Sequence, residues 1–201
     1  MKKELDHYYI GDSYGGSQDW FTDLWMNRGG CGAVTAVECC ISLALNRGLT
    51  QLYPFDASHV TKEDFLAFAM QMKPYLRPRP MGINKTSLFM DGFREYLATR
   101  PPTGLTMTSV EGSAPGEEAV DVIRRQLDLG FPVPYLMLLH HDRALEDFHW
   151  HWFVLNGYDE DSERFMVKAF TYSEWYWMDL RYLWDTRRED KGGFVVFSLP
   201  E

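Results

Sequence analysis

Cys31 stands between glycines in NRGGCGAVTAVECC, residues 27–40, where a polar segment gives way to a strongly helical pattern. The nucleophilic form of cysteine is the thiolate, and the amide dipoles at a helix N-terminus favour that anion, so this position is expected to lower the Cys31 pKa. Gly29, Gly30 and Gly32 carry no side chain, which would allow a tight turn and let a substrate carbonyl reach the sulfur. Nucleophilic catalysis also needs a base. FHWHWFVLNGYD, residues 148–159, offers His149 and His151 at the start of an extended run, where strand alternation sends both side chains to one face. A neutral imidazole there would take the thiol proton, and thiolate and imidazolium would stabilise each other. Two other readings exist for these histidines. One stacks them on neighbouring tryptophans at a strand end, and the other gathers His140, His141, His149 and His151 around zinc, without the His-Glu-x-x-His spacing that favours it.

Such a pair requires a helix behind the cysteine and a sheet behind the histidine, and the hydrophobic periods supply both. Val34, Val37, Cys40, Ile41 and Leu45 recur at three- and four-residue steps and Gly48 closes the run, predicting a helix from Cys31. Cys39 and Cys40 fall inside it, where inert packing is the default. Thr61 followed by Asp64 is a capping start for a helix bearing Phe65, Phe68, Ala69 and Met72. Residues 84–98 and 117–129 read as further helices, and the proline-rich stretches at 73–82 and 100–104 read as breaks. Residues 133–139, 151–159, 164–170 and 193–199 are β-branched and aromatic runs bounded by turn residues. Behind Ser173 as a cap, Tyr176, Leu180, Leu183 and Trp184 keep a helical spacing, and the aromatic run Trp175, Tyr176, Trp177 and Trp184 reads as core. A helical part over about 15–130 followed by an antiparallel sheet part over about 131–199 is the order of an α+β domain.

With 201 residues and 45% hydrophobic content, the chain suits one well-filled domain, 1–201. Twenty-nine acidic against 20 basic residues, a formal charge of -9, exclude a nucleic-acid backbone as the main partner. MKKELDHYYI opens the chain without the apolar run of a signal peptide, and no segment reaches the roughly 20 apolar residues of a membrane span. Three cysteines, two of them adjacent, do not form a disulfide framework, so a reducing, cytoplasmic setting is expected.

Taken together, GGSQDWFTDLWMNRGGCGAVTAVE, GFPVPYLMLL, HWHWFVLNGYD and FMVKAFTYSEWYW resemble the papain-like cysteine peptidases, in particular the bacteriocin-leader-processing (double-glycine) peptidase-like family. The resemblance follows element order over about residues 15–199. It implies a papain-like cysteine proteinase fold whose central helix starts at the cysteine, an antiparallel β-sheet half, and cleavage of a peptide or amide bond in a peptide or protein substrate without cofactor or metal. By position in the family motif, Cys31 would be the nucleophile, His151 the base and Gln18 the amide of the oxyanion hole. His151 is preferred to His149 because Gly157 lies six residues after it, as in the family. Asn27 is a second candidate for the amide role. The family's third residue, an asparagine or aspartate, falls on Ala169, which cannot orient an imidazole; Thr171, Glu174, Asp142, Asp147 or Asn156 would have to substitute. Two alternatives follow from that departure and from the shared chemistry: a catalytically silent peptide-binding domain, and a transglutaminase-like acyl transferase.

Overall fold

The computed structural model describes residues 1–200. The chain begins with three short strands, β1 (Lys2–Glu4), β2 (Tyr9–Ile10) and β3 (Ser13–Tyr14), and then enters α1 (Leu24–Gly29), α2 (Cys31–Arg47), α3 (Lys62–Met72) and α4 (Thr86–Leu97). It continues through β4 (Thr106–Glu111), α5 (Gly116–Asp128), β5 (Val133–Met137), β6 (His151–Glu160), β7 (Phe165–Thr171), β8 (Glu174–Asp179), α6 (Leu180–Trp184) and β9 (Gly192–Ser198).

The helices start and stop where their capping chemistry dictates. Thr61 Oγ1 accepts the Asp64 N–H at 3.1 Å to begin α3. Gly48 ends α2 in the left-handed region at φ 68°, donating its N–H to the Leu43 carbonyl. Every residue from Cys31 to Ala44 is buried, so α2 is covered on all sides and lies inside the molecule.

The larger sheet is antiparallel and orders its strands β4-β9-β5-β6-β7-β8. β1 joins β6 at residues 157–159, beyond the stretch of β6 that pairs with β5. Alternation gives the sheet two apolar faces. Leu136, Trp152, Val154, Phe170 and Phe197 pack with α2, α3 and α4, whereas Tyr135, Phe153, Leu155, Val167, Ala169 and Phe194 pack with α5 and α6. Trp152 locks the first face: it stacks on Phe89 at 4.4 Å between ring centres and donates its indole N–H to the Ile83 carbonyl at 2.6 Å. Burying this side chain contributes on the order of 4 kcal/mol of transfer free energy.

The chain is thus α+β with an antiparallel sheet, but its halves are not segregated as the sequence order suggests. β4 lies inside the segment read as helical and pairs with β9 along its whole length, and helices cover both faces of the sheet. The helix expected behind Ser173 is also replaced. Tyr172 and Ser173 both adopt positive φ, 51° and 67°, as a two-residue turn of the β7–β8 hairpin. The following residues run extended as β8, and the helix begins only at Leu180, capped by Asp179. Because β8 is a sheet edge, Trp175 and Tyr176 are exposed, and of that aromatic run Trp184 alone is buried core. Among the described residues no helix is long and apolar enough to cross a membrane.

Candidate active site

Cys31 is the first residue of α2, preceded by Gly30 as N-cap without a side-chain cap. The tight junction between α1 and α2 explains two of its glycines. A Cβ on Gly30 would stand 2.4 Å from the Met26 carbonyl oxygen, and one on Gly32 would stand 2.7 Å from Ile83 Cδ1. Their lack of a side chain serves this packing and not the approach of a substrate; only Gly29 borders the open cleft, where a Cβ would meet nothing closer than 3.5 Å.

That cleft, of about 520 Å³, brings together Cys31, His151 and Gln18 with His149, Trp150 and Tyr172. Its residues come from the start of α2, the start of β6, the short 3-10 turn Gln18–Trp20 and the β7–β8 hairpin turn. Cys31 and His151 are buried, at 6% and 5% exposure. Burial pushes the Cys31 thiol above its ordinary range, although the backbone N–H groups of Trp152, Gly32 and Cys31 itself work the other way. The expected lowering by the helix terminus is therefore outweighed by desolvation. Burial likewise pulls the His151 imidazole down to about 4. At neutral pH the resting pair is a thiol and a neutral imidazole.

The imidazole is fixed on two sides. Its Nε2 lies 2.8 Å from Thr171 Oγ1, the Tyr172 hydroxyl lies 3.4 Å from Nδ1, and the Tyr172 ring stacks on it at 4.7 Å and 7°. Tyr172 also shares the cleft with Cys31: burial first, and then the charge of a Cys31 thiolate, push its phenol up to about 12. Positive φ at an aromatic residue is a strained conformation, held here by the hairpin and the stack.

Gln18 is buried, and its Nε2 donates to the Asn27 carbonyl at 2.7 Å, leaving a second N–H on the same nitrogen. Asn27 thus acts through its backbone. Its own amide donates to the Asp19 carbonyl at 3.4 Å and is absent from the cleft wall.

His149 and His151 do not share a strand face. β6 begins at His151, and Trp150 between them has φ 53°, which breaks the alternation. His149 instead accepts the His140 N–H on Nε2 at 3.1 Å, and His140 Nε2 contacts the Tyr182 carbonyl at 3.1 Å. Among the described residues no group of three or more His, Cys, Asp or Glu side chains is arranged to hold a metal ion. Cys39 and Cys40 are free and fully buried.

The substitutes for a third residue sort clearly. Ala169 pairs with Leu155 in the apolar cluster beneath α5 and α6, two residues before Thr171, and carries no polar group to offer the imidazole. Glu174 accepts the Tyr176 hydroxyl at 2.7 Å, Asn156 donates to the Tyr14 hydroxyl at 2.8 Å, and Asp142 caps its own turn through the Ala144 N–H at 2.9 Å. Asp147 is exposed and makes no contact with the ring. Only Thr171 meets His151. The contribution of Tyr172 escapes sequence reasoning, because an aromatic residue at a hairpin turn carries no signal of what its ring will cover. Compared with known proteins, the chain matches no protein-family model and no curated protein.

Proposed function

We propose that this chain is a thiol hydrolase of papain-like fold that cleaves a peptide or amide bond in a peptide or protein substrate. The observation that carries the reading is the convergence of Cys31, His151 and Gln18 on one cleft from three separate parts of the chain. With its proton on Nε2 facing Thr171, the imidazole keeps Nδ1 as the basic nitrogen, which takes the thiol proton as sulfur attacks the carbonyl carbon. The oxygen that becomes negative accepts from the second N–H of Gln18 and from the Cys31 backbone N–H, one of the first helical donors that have no intrahelical acceptor. The imidazolium then gives its proton to the leaving amine, and water, activated by the same ring, hydrolyses the thioester to return the thiol. In the dry resting site this ion pair is disfavoured, so it forms when substrate is bound.

A second reading, a silent peptide-binding cleft of the same fold, is favoured by one observation: both ring nitrogens already have neighbours, Thr171 and Tyr172. Alkylation separates the two. Iodoacetamide at neutral pH is expected to modify Cys31 before Cys39 and Cys40, whose thiols burial pushes still higher. His151→Ala should abolish peptide hydrolysis while leaving Cys31 open to that modification. Equal labelling of the three cysteines, or none at Cys31, overturns the hydrolase reading.

A further inference from the structure

Resting on that reading of the cleft, we infer that its substrate carries a carboxylate close to the bond cleaved, held by Arg28 and Arg79. Arg28 lies in the last turn of α1 and Arg79 in the proline-rich loop between α3 and α4, and both line the cleft that contains Cys31. Among the described residues no aspartate or glutamate lines it, so in a protein of formal charge -9 the fixed charges they place on this wall are two cations. Both side chains are exposed, and among the described residues neither forms an ion pair. The nearby lysine shows the contrast: Lys73, in the same proline-rich stretch, is neutralised by Asp23 at 2.6 Å. Arg79 donates only a long bond, 3.4 Å, to the Arg77 carbonyl, which leaves its terminal nitrogens for a ligand.

An arginine presents paired donors that fit a carboxylate, and a concave wall focuses the field of two such cations. Asp19 and Asp147 lie outside the cleft lining, and their charges help to raise the Tyr172 phenol. An anionic substrate group is therefore drawn to the arginine side of the cleft. The carboxylate belongs either to an acidic side chain or to a peptide C-terminus.

Two alkylating agents of nearly equal size test the charge directly, since iodoacetate is an anion and iodoacetamide is neutral. The ratio of their rate constants at Cys31, read by peptide mass spectrometry, is expected to fall about fivefold in Arg28→Gln/Arg79→Gln at low ionic strength and to fall in the parent when salt is added. Protection of Cys31 from iodoacetamide then identifies the source: an amidated peptide with an internal glutamate, its glutamine counterpart, and that counterpart with a free C-terminus are compared. Protection by the glutamate peptide assigns a side chain, and protection by the free acid assigns a terminus. A ratio unchanged by the double substitution, or equal protection by all three peptides, overturns the inference and leaves the hydrolase reading intact. Failure of both agents to modify Cys31 overturns the hydrolase reading and this inference with it.

Discussion

The Nε2 atom of His151 lies 2.8 Å from the hydroxyl oxygen of Thr171, on the strand next to its own. That one contact fixes the ring's rotation and, when the hydroxyl accepts, its tautomer. A hydroxyl does this more weakly than a carboxylate, because it adds no charge to stabilise an imidazolium. Thr171→Val keeps the shape and removes the acceptor. Peptide hydrolysis should fall roughly 10- to 100-fold, below the ~10⁴ of a lost carboxylate, with kcat affected more than KM. Thr171→Ser should retain most of the rate. Equal rates for the valine and serine variants would show that the hydroxyl does not act.

Ala169 provides the complementary case. It is fully buried opposite Leu155, one side-chain repeat along β7 from Thr171, so an asparagine there is surrounded by the apolar residues packed against α5 and α6. Ala169→Asn is expected to destabilise the fold by roughly 2 to 3 kcal/mol through an unpaired buried amide, without raising activity. Chemical denaturation alongside a hydrolysis assay checks both parts, and a gain in turnover would place the orienting group at 169 after all.

What was legible in the sequence, and what was not, divides along a physical line. The helix from Cys31 was legible because its apolar period is local, as were the Thr61 cap and the long strands. The partner of His151 is legible only as one of five candidates, Thr171 among them, because choosing between them depends on register: the β6–β7 pairing shifts at Leu155/Gly157, and no local pattern announces such a bulge. The backbone at Trp150, Tyr172 and Ser173 is not legible either, for one shared reason. Each holds a positive φ that its residue type disfavours, imposed by tertiary packing, and so the strand face of His149 and the element after Ser173 both came out differently. β4 escaped notice because its outward residues are polar and only its pairing with β9 makes it a strand.

The electrostatics of the cleft set a pH dependence. The thiol is held above its ordinary value and the imidazole at about 4, both by burial, so between those values neither is charged. Without substrate, alkylation of Cys31 should therefore keep rising with pH through the alkaline range, as thiolate forms directly. A performed thiolate–imidazolium pair would instead give a plateau from weakly acidic to neutral pH. Stopped-flow measurement with iodoacetamide from pH 5 to 10 distinguishes them, and a plateau would show that the ion pair exists in the resting protein.

Glu38, buried on α2, ties together the segments that carry the site. Its carboxyl accepts the Gly16 N–H at 2.8 Å and the Tyr8 hydroxyl at 2.6 Å; the Gly16 carbonyl in turn accepts the Ser173 N–H at 3.1 Å. One side chain thereby anchors both the loop leading to Gln18 and the turn holding Tyr172 over His151. Burial pushes this carboxyl up to about 7, against the two hydrogen bonds that favour its ionised form. The folded state thus binds a proton that the unfolded state releases near its ordinary value of 4.5, so the carboxyl's contribution to stability falls as pH rises from about 4.5 to about 7. His7 and His151, both pulled down by burial, titrate in the opposite sense, but they do so in parent and variant alike. Relative to Glu38→Gln, the parent should lose on the order of 3 kcal/mol across that window. Urea unfolding followed by circular dichroism at pH 4.5 and 7.5 measures the difference, and parallel stability curves for the two proteins would mean that Glu38 titrates normally in the fold.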